Sequence, residues 1–433
     1  MYVLYSLLLV LGLVIALPFW VFQAVRHGKY RQGFGERLGR APGRLRQGLS
    51  QPVIWIHAVS VGEVLAISQL VAQLRDQLPD YRVVISTTTD TGQRLARRRF
   101  GQENVFYFPL DFAFCVMPYL RLLNPSLVVL AETELWPNFL RLCKKQGANI
   151  AVVNARISDR SWPGYRRWRQ WLVRILRNVD LFLAQTEEDK RRLVDIGAAS
   201  ERVAVSGNLK FDIPAPATPE IVLRLRHVLS GSNAGPVFVA GSTVDSEEEG
   251  LLLAAFRNAH LNHPSAVMIL APRHPERFQQ AANFLRDFGV PYVRRTEWDG
   301  SPITGKVFLL DSIGELGPAY SLADVAFVGG SLVPRGGHNI IEPAQYGVPV
   351  LVGNYTHNFR DIINLFHSRG AVKIVGPAEL PLVLMELFSD PEQRKELGRK
   401  AQATLQTQMG ATERTVIALK GLLASKATKV GPI

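Results

Sequence analysis

The chain has 433 residues, 47% hydrophobic and 20% charged, a composition that fills large cores and excludes intrinsic disorder. Its 50 Lys and Arg against 37 Asp and Glu leave a formal charge of +13. A field of that sign draws polyanions: nucleic acid, an anionic membrane surface or a phosphorylated substrate. Two cysteines, Cys115 and Cys143, exclude a disulfide framework and a cysteine-based metal site.

Residues 1–25 carry no charge, and residues 7–20 (LLLVLGLVIALPFW) are almost wholly apolar. The run predicts a membrane-spanning anchor helix. Arg26, Lys29, Arg31, Arg37, Arg40, Arg44 and Arg46 follow it, opposed only by Glu36. Positive charge after the apolar run, rather than before it, predicts an uncleaved anchor with the body in the cytoplasm. The basic run either lies against anionic headgroups or is a solvated linker.

From residue 50, apolar runs of strand length alternate with helical spacing. Strands are expected at 53–57 (VIWIH), 82–86, 105–108, 127–131 (LVVLA), 150–154 and 181–184, with a helix over 64–78. Three prolines in residues 211–220 (FDIPAPATPE) interrupt the pattern and read as a hinge. It resumes at 237–240, 267–271 (VMILA), 292–294, 307–311, 325–328, 350–352 and 372–374. Continuous apolar strands separated by helices predict parallel sheets covered on both faces. The expected organisation is an anchor over 1–25, a Rossmann-like domain over 26–212 and a second over 213–425. Ligands would lie beyond the carboxyl ends of the strands, in a central cleft.

Chemistry-bearing residues gather at those strand ends. His57-Ala-Val-Ser60-Val-Gly62-Glu63 runs from a strand through a tight turn into a helix. Glu63 falls in the first helical turn, where the dipole favours an anion and hence a base; a plain capping glutamate has the same pattern. Glu132 and Glu134 follow the strand LVVL, and strand alternation would point both to one side. Lys210, in Ser206-Gly-Asn208-Leu-Lys210, lies just before the hinge and is suited to a phosphate or carboxylate. In the second half, Gly241-Ser242-Thr243 and Gly329-Gly330-Ser331 follow strands and offer backbone amides to an anion. Arg273 follows another strand and has the fork that phosphates accept. Gly336-Gly337 is expected to open a helix with His338 and Glu342 one turn apart, Glu342 facing ribose hydroxyls. No third ligand accompanies that pair, so a metal site is not expected. The glycine spacing matches neither the dinucleotide nor the phosphate-loop pattern. Residues 165–179 (YRRWRQWLVRILRNV) predict one amphipathic helix with five arginines, either interfacial or simply solvated. No Asp-x-Asp pair occurs.

The segments SVGE, ETELWPN, NARISDRS, SGNLKFD, APRHPERF and GGHNxxE, with Gly35-Glu36-Arg37 after the anchor, resemble in order the 3-deoxy-D-manno-octulosonic acid (Kdo) transferases of glycosyltransferase family 30. The resemblance covers nearly the whole chain. It implies a GT-B fold, CMP-Kdo as donor, lipid IVA as acceptor in lipopolysaccharide biosynthesis, inversion at the anomeric carbon, and no metal or other cofactor. It also implies a cell inner membrane location. By the family's pattern Glu63 corresponds to the proton acceptor, and Glu132 and Lys210 to transition-state stabilisers. Pro272, Arg273, Ile313, Gly314, Glu315, Asn339, Ile340, Ile341 and Glu342 correspond to CMP-contacting positions. A UDP-sugar transferase or epimerase and a tethered nucleic-acid-binding protein are the competing readings; nucleic acid is not an expected partner.

Overall fold

A computed structural model describes residues 2–27, 33–48 and 50–427, with 19–27 and 425–427 described by their backbone alone. The chain forms two compact units, residues 1–213 with 408–433, and residues 214–407. Each is built on a parallel seven-stranded sheet.

The first sheet contains β1 (Val53–His57), β2 (Arg82–Thr87), β3 (Val105–Tyr107), β4 (Pro125–Ala131), β5 (Asn149–Ala155), β6 (Leu181–Ala184) and β7 (Val203–Val205), in the order β3-β2-β1-β4-β5-β6-β7. Alternate β1 side chains feed opposite cores. Val53 and Trp55 join one apolar cluster, Ile54 and Ile56 the other, and all four are buried. That two-sided burial is why these strands read as unbroken apolar runs. The edge strand β3 is blunted by the Gly35-Glu36-Arg37 segment. Glu36 accepts the Tyr107 N–H (2.8 Å) and pairs with Arg44 (2.6 Å).

The second sheet contains β8 (Val237–Thr243), β9 (Val267–Pro272), β10 (Tyr292–Arg294), β11 (Val307–Leu309), β12 (Val325–Val328), β13 (Val350–Val352) and β14 (Lys373–Ile374), in the order β10-β11-β9-β8-β12-β13-β14. Residues 213–219, within the expected hinge, form neither helix nor strand. The last helix, Ala411–Ala427, belongs to the first unit: Val416, Leu419 and Leu423 join its core, and Asn149 donates to the Leu422 carbonyl (2.9 Å).

Several local expectations are corrected. The 64–78 helix is two, Val61–Ala66 and Ser68–Gln77, with Ile67 between them. The 165–179 helix is likewise Trp162–Arg167 followed by Arg169–Leu176, interrupted at Trp168. Leu172, Ile175 and Leu176 are buried, while Trp168 and Trp171 are exposed. The apolar N-terminus does form a helix, Tyr2–His27. Among the described residues, however, no helix is long and apolar enough to cross a membrane, so the expected transmembrane anchor finds no support in the fold. Lys29 and Arg31 of its basic flank lie outside the described residues.

Candidate active site

Glu63 is the third residue of the helix Val61–Ala66, entered directly from β1. Ser60 caps the helix by accepting the Glu63 N–H (3.4 Å). The Glu63 carboxylate reaches back to accept from the Val59 N–H and the Ser60 hydroxyl, both at 2.8 Å. This reciprocal pattern is a variant of the capping box in which the Val59 N–H and the Ser60 hydroxyl replace the cap residue's own N–H. Glu63 is therefore a capping residue, and the residue is only 9% exposed. Burial pushes its pKa up to about 7, helped by the charges of Glu132 and Glu134 and opposed by the two hydrogen bonds. The expectation that the helix terminus alone holds it as an ordinary anion gives way to desolvation. A carboxylate poised near neutrality suits proton acceptance.

Glu132 directly follows β4, and its φ of 58° lies in the left-handed region that a side chain adopts at a cost. The strand ends at Ala131, so alternation does not govern where Glu132 and Glu134 point. Both carboxylates nonetheless act electrostatically on Glu63. Burial, then the Glu132 charge, raises the pKa of Glu134. Lys210 lies in the 3-10 turn Leu209–Asp212 and reaches Glu132 Oε1 at 3.3 Å. Three sequence-predicted residues, Glu63, Glu132 and Lys210, thus meet at the carboxyl edge of the first sheet.

The second unit gathers another group. Arg273 is exposed just past β9, its N–H bonded to the Thr243 carbonyl (2.8 Å), and Pro272 is buried beside it. The pKa of His338 is lowered to about 4 by burial and by the Arg273 and His274 charges, leaving a neutral imidazole. Burial raises the pKa of Glu342, while Asn339 and Arg273 oppose that rise. Asn339 donates to Glu342 at 3.4 Å and accepts the Ile341 N–H at 3.2 Å. Buried Tyr320 feels both Glu342 and Arg273. Arg273, His338, Asn339, Glu342 and Tyr320 therefore share one neighbourhood. Ile340 and Ile341 are buried. Ile313 is 67% exposed beside Gly314 at φ 89°, and Glu315 is held by both arms of Arg295 (2.6 and 2.8 Å).

Two glycine-loop expectations are corrected. No helix opens at Gly336-Gly337; the helical turn there is Ile341–Gln345, so His338 and Glu342 do not share a helix face. The amides of Gly330, Ser331 and Leu332 are occupied by the carboxylate of Glu248 (2.8–3.2 Å), which also takes the Val244 N–H. Glu248 is fully buried and is the second-unit counterpart of Glu63: Asp245 caps its helix as Ser60 caps the other. Its signal was a Glu three residues after an N-cap following a strand, the same pattern that drew notice at Glu63. Gly241 is needed for close approach, since a Cβ there would lie 2.1 Å from the Tyr320 hydroxyl. Among the described residues no group of three His, Cys, Asp or Glu is arranged to hold a metal.

The first sheet is thus edged by a carboxylate raised to about 7 beside a Glu–Lys pair, and the second by an exposed arginine beside His338, Asn339, Glu342 and Tyr320; the relatives of the chain make it a glycosyltransferase. A family model described as 3-deoxy-D-manno-octulosonic-acid transferase matches residues 32–213. Curated 3-deoxy-D-manno-octulosonic acid transferases are 32% identical in Haemophilus influenzae, over 97% of this chain and 98% of that protein. The counterpart in Bordetella pertussis is 36% identical, over 95% and 97%. The chain belongs to the Kdo transferase family. Among solved structures, HepE from Anabaena with UDP has the same fold, at TM-score 0.58 and 14% identity over 86% of this chain and 100% of that one.

Proposed function

We propose that the chain transfers Kdo from CMP-Kdo to lipid IVA with inversion, with Glu63 as the base. The observation that carries this reading is the Glu63 carboxylate, raised to about 7 at a strand's carboxyl edge beside the Glu132–Lys210 pair. Glu63 takes the proton of an acceptor hydroxyl. The oxygen forms the new bond to the anomeric carbon as the bond to CMP breaks, and CMP leaves with the electron pair. The transition state is oxocarbenium-like, as in glycoside hydrolysis. Lys210 supplies fixed positive charge near the acidic sugar, and Glu132 holds that lysine in place. Arg273, with the Asn339–Glu342 turn, receives the nucleotide, its guanidinium stabilising the leaving phosphate. Neutral His338 donates or accepts a hydrogen bond there without adding charge. No metal is assigned a role.

The helix Tyr2–His27 supports a lipid-surface reading. Val3, Leu7, Leu8, Val14 and Ile15 are more than half exposed, while Ser6 bonds Asn138 (3.0 Å) on the body of the unit. We place the protein at the inner membrane, body on the cytoplasmic face, with this apolar surface in contact with lipid.

The test is nucleotide release from purified protein with lipid IVA, supplied with CMP-Kdo or with a UDP-sugar. Release of CMP alone, with a matching mass gain on the lipid, is expected. Release of UDP without CMP would overturn the donor assignment.

A further inference from the structure

The carboxyl ends of β5, β6 and β7 carry amide side chains that the reaction above does not use. Asn154, near the end of β5, is 1% exposed and sits at φ 54°. Its Oδ1 accepts the N–H of Leu209 (3.0 Å). Gln185, the residue after β6, donates to the Asn154 carbonyl (3.0 Å) and accepts Asn208 Nδ2 on its Oε1 (3.0 Å). Asn208 Oδ1 in turn accepts the N–H of Lys210 (3.0 Å). The far end of the same short turn is fixed as well: Asp212 accepts the N–H groups of Gly410 (2.7 Å) and Thr412. Lys210 then extends to Glu132, whose own N–H is bonded to the Val153 carbonyl (2.9 Å), one residue before Asn154.

The row runs from strand end to strand end and closes on the ion pair. A lysine is a flexible four-carbon stem carrying a point charge, so its ammonium is fixed only as well as its backbone. A 3-10 turn of four residues has too few internal bonds to fix anything alone. Here both ends of the turn are held by side-chain bonds, buried at Asn154 and partly buried at Asp212. The chemistry of the row is selective too. Asn154, Gln185 and Asn208 provide donors and acceptors without charge. A carboxylate at 185 would keep the acceptor for Asn208 but lose the donor to the Asn154 carbonyl and bury a charge.

We propose that Gln185 and Asn154, acting through Asn208, are positioning residues that set Lys210 against Glu132. The inference rests on the reading that Lys210 and Glu132 act in sugar transfer. Gln185→Leu removes both bonds at the centre of the row and is expected to lower kcat about 10- to 100-fold, the scale of a catalytic group displaced by about 1 Å. KM for CMP-Kdo stays within about twofold of wild type, because the row lies in the first unit and the nucleotide residues in the second. Gln185→Glu would lose the donor to the Asn154 carbonyl and bury a charge, so the cleaner comparison is Asn208→Ala, which cuts the link to the Lys210 N–H at a partly exposed site and is expected to lower kcat about as far while its Tm stays nearer wild type. A structural role alone would make kcat follow Tm.

The decisive experiment is a double-mutant cycle of Gln185→Leu with Lys210→Arg, read as kcat by CMP release on folded protein. With the lysine already replaced, Gln185→Leu is expected to cost less than about twofold. Where Gln185→Leu does not fold, Asn208→Ala cuts the same link and enters the same cycle. Independent, multiplying losses, or a Gln185→Leu kcat within about twofold of wild type, would overturn the positioning role. Absence of Kdo transfer by the wild type, or full activity of Lys210→Ala, would instead overturn the functional reading beneath it.

Discussion

Replacing Glu63 with glutamine should stabilise the fold while stopping the reaction. The folded pKa of Glu63 rises from 4.5 to about 7, chiefly by burial. A carboxyl with a raised folded pKa binds its proton more tightly in the fold than in the unfolded chain. Its favourable contribution is complete below about pH 4.5 and is lost as pH rises through about 7. At 1.36 kcal/mol per pH unit, the rise corresponds to about 3 kcal/mol between pH 4 and pH 8. Glutamine fits the same bonds: its oxygen accepts the Val59 N–H, and its amide faces the Ser60 hydroxyl, both now 2.8 Å from the carboxylate. It carries no charge to desolvate. For a unit of this size each kcal/mol moves Tm by roughly 2–4 °C. Calorimetry of wild type and Glu63→Gln from pH 5 to pH 8 should show the variant gaining on wild type by roughly 5–10 °C across that interval, with transfer nearly abolished. A Tm difference that stays flat with pH would mean that burial does not perturb this carboxyl, and the case for a base poised near neutrality would fail. The wild-type kcat/KM should fall correspondingly as pH drops through about 7.

Other expectations follow from single contacts. Glu132→Gly relieves the left-handed backbone at φ 58° and should hold or raise stability by about 1 kcal/mol while removing transfer, measured by melting and CMP release. Glu248→Ala strands the N–H groups of Gly330, Ser331 and Leu332 and should destabilise the second unit by about 3 kcal/mol or more in denaturant melts. Gly241→Ala drives a Cβ to 2.1 Å from the Tyr320 hydroxyl, so it should weaken CMP binding in calorimetric titration and leave the first unit's Tm unchanged.

The architecture was legible where strands are buried on both faces, because such strands are continuous apolar runs: VIWIH, LVVLA, VMILA and VAFV all fall where expected. The edge strand β7 is three residues, one of them exposed, and leaves no such run. Helix interruptions at Ile67 and Trp168 escaped notice because the apolar spacing continues through them and neither glycine nor proline marks the break. Glu132 stands out as a polar residue directly after a buried strand, whereas Glu63 and Lys210 lie further along their turns and take their expected roles from the family resemblance rather than from any local pattern. The glycine loop misled for a reason no local pattern contains: the anion that fills it comes from Glu248, 82 residues earlier than Gly330. Asn154 and Gln185 follow the same rule as Glu132, a polar residue ending an apolar run, but an amide carries no obvious chemistry until its partners are seen.

The most direct measurement is the mass of lipid IVA after incubation with CMP-Kdo and either wild-type protein or Glu63→Gln, each first shown to bind CMP. Kdo-sized additions with wild type and none with the variant are expected. Undiminished addition by a CMP-binding Glu63→Gln protein would contradict the assignment of Glu63 as the base.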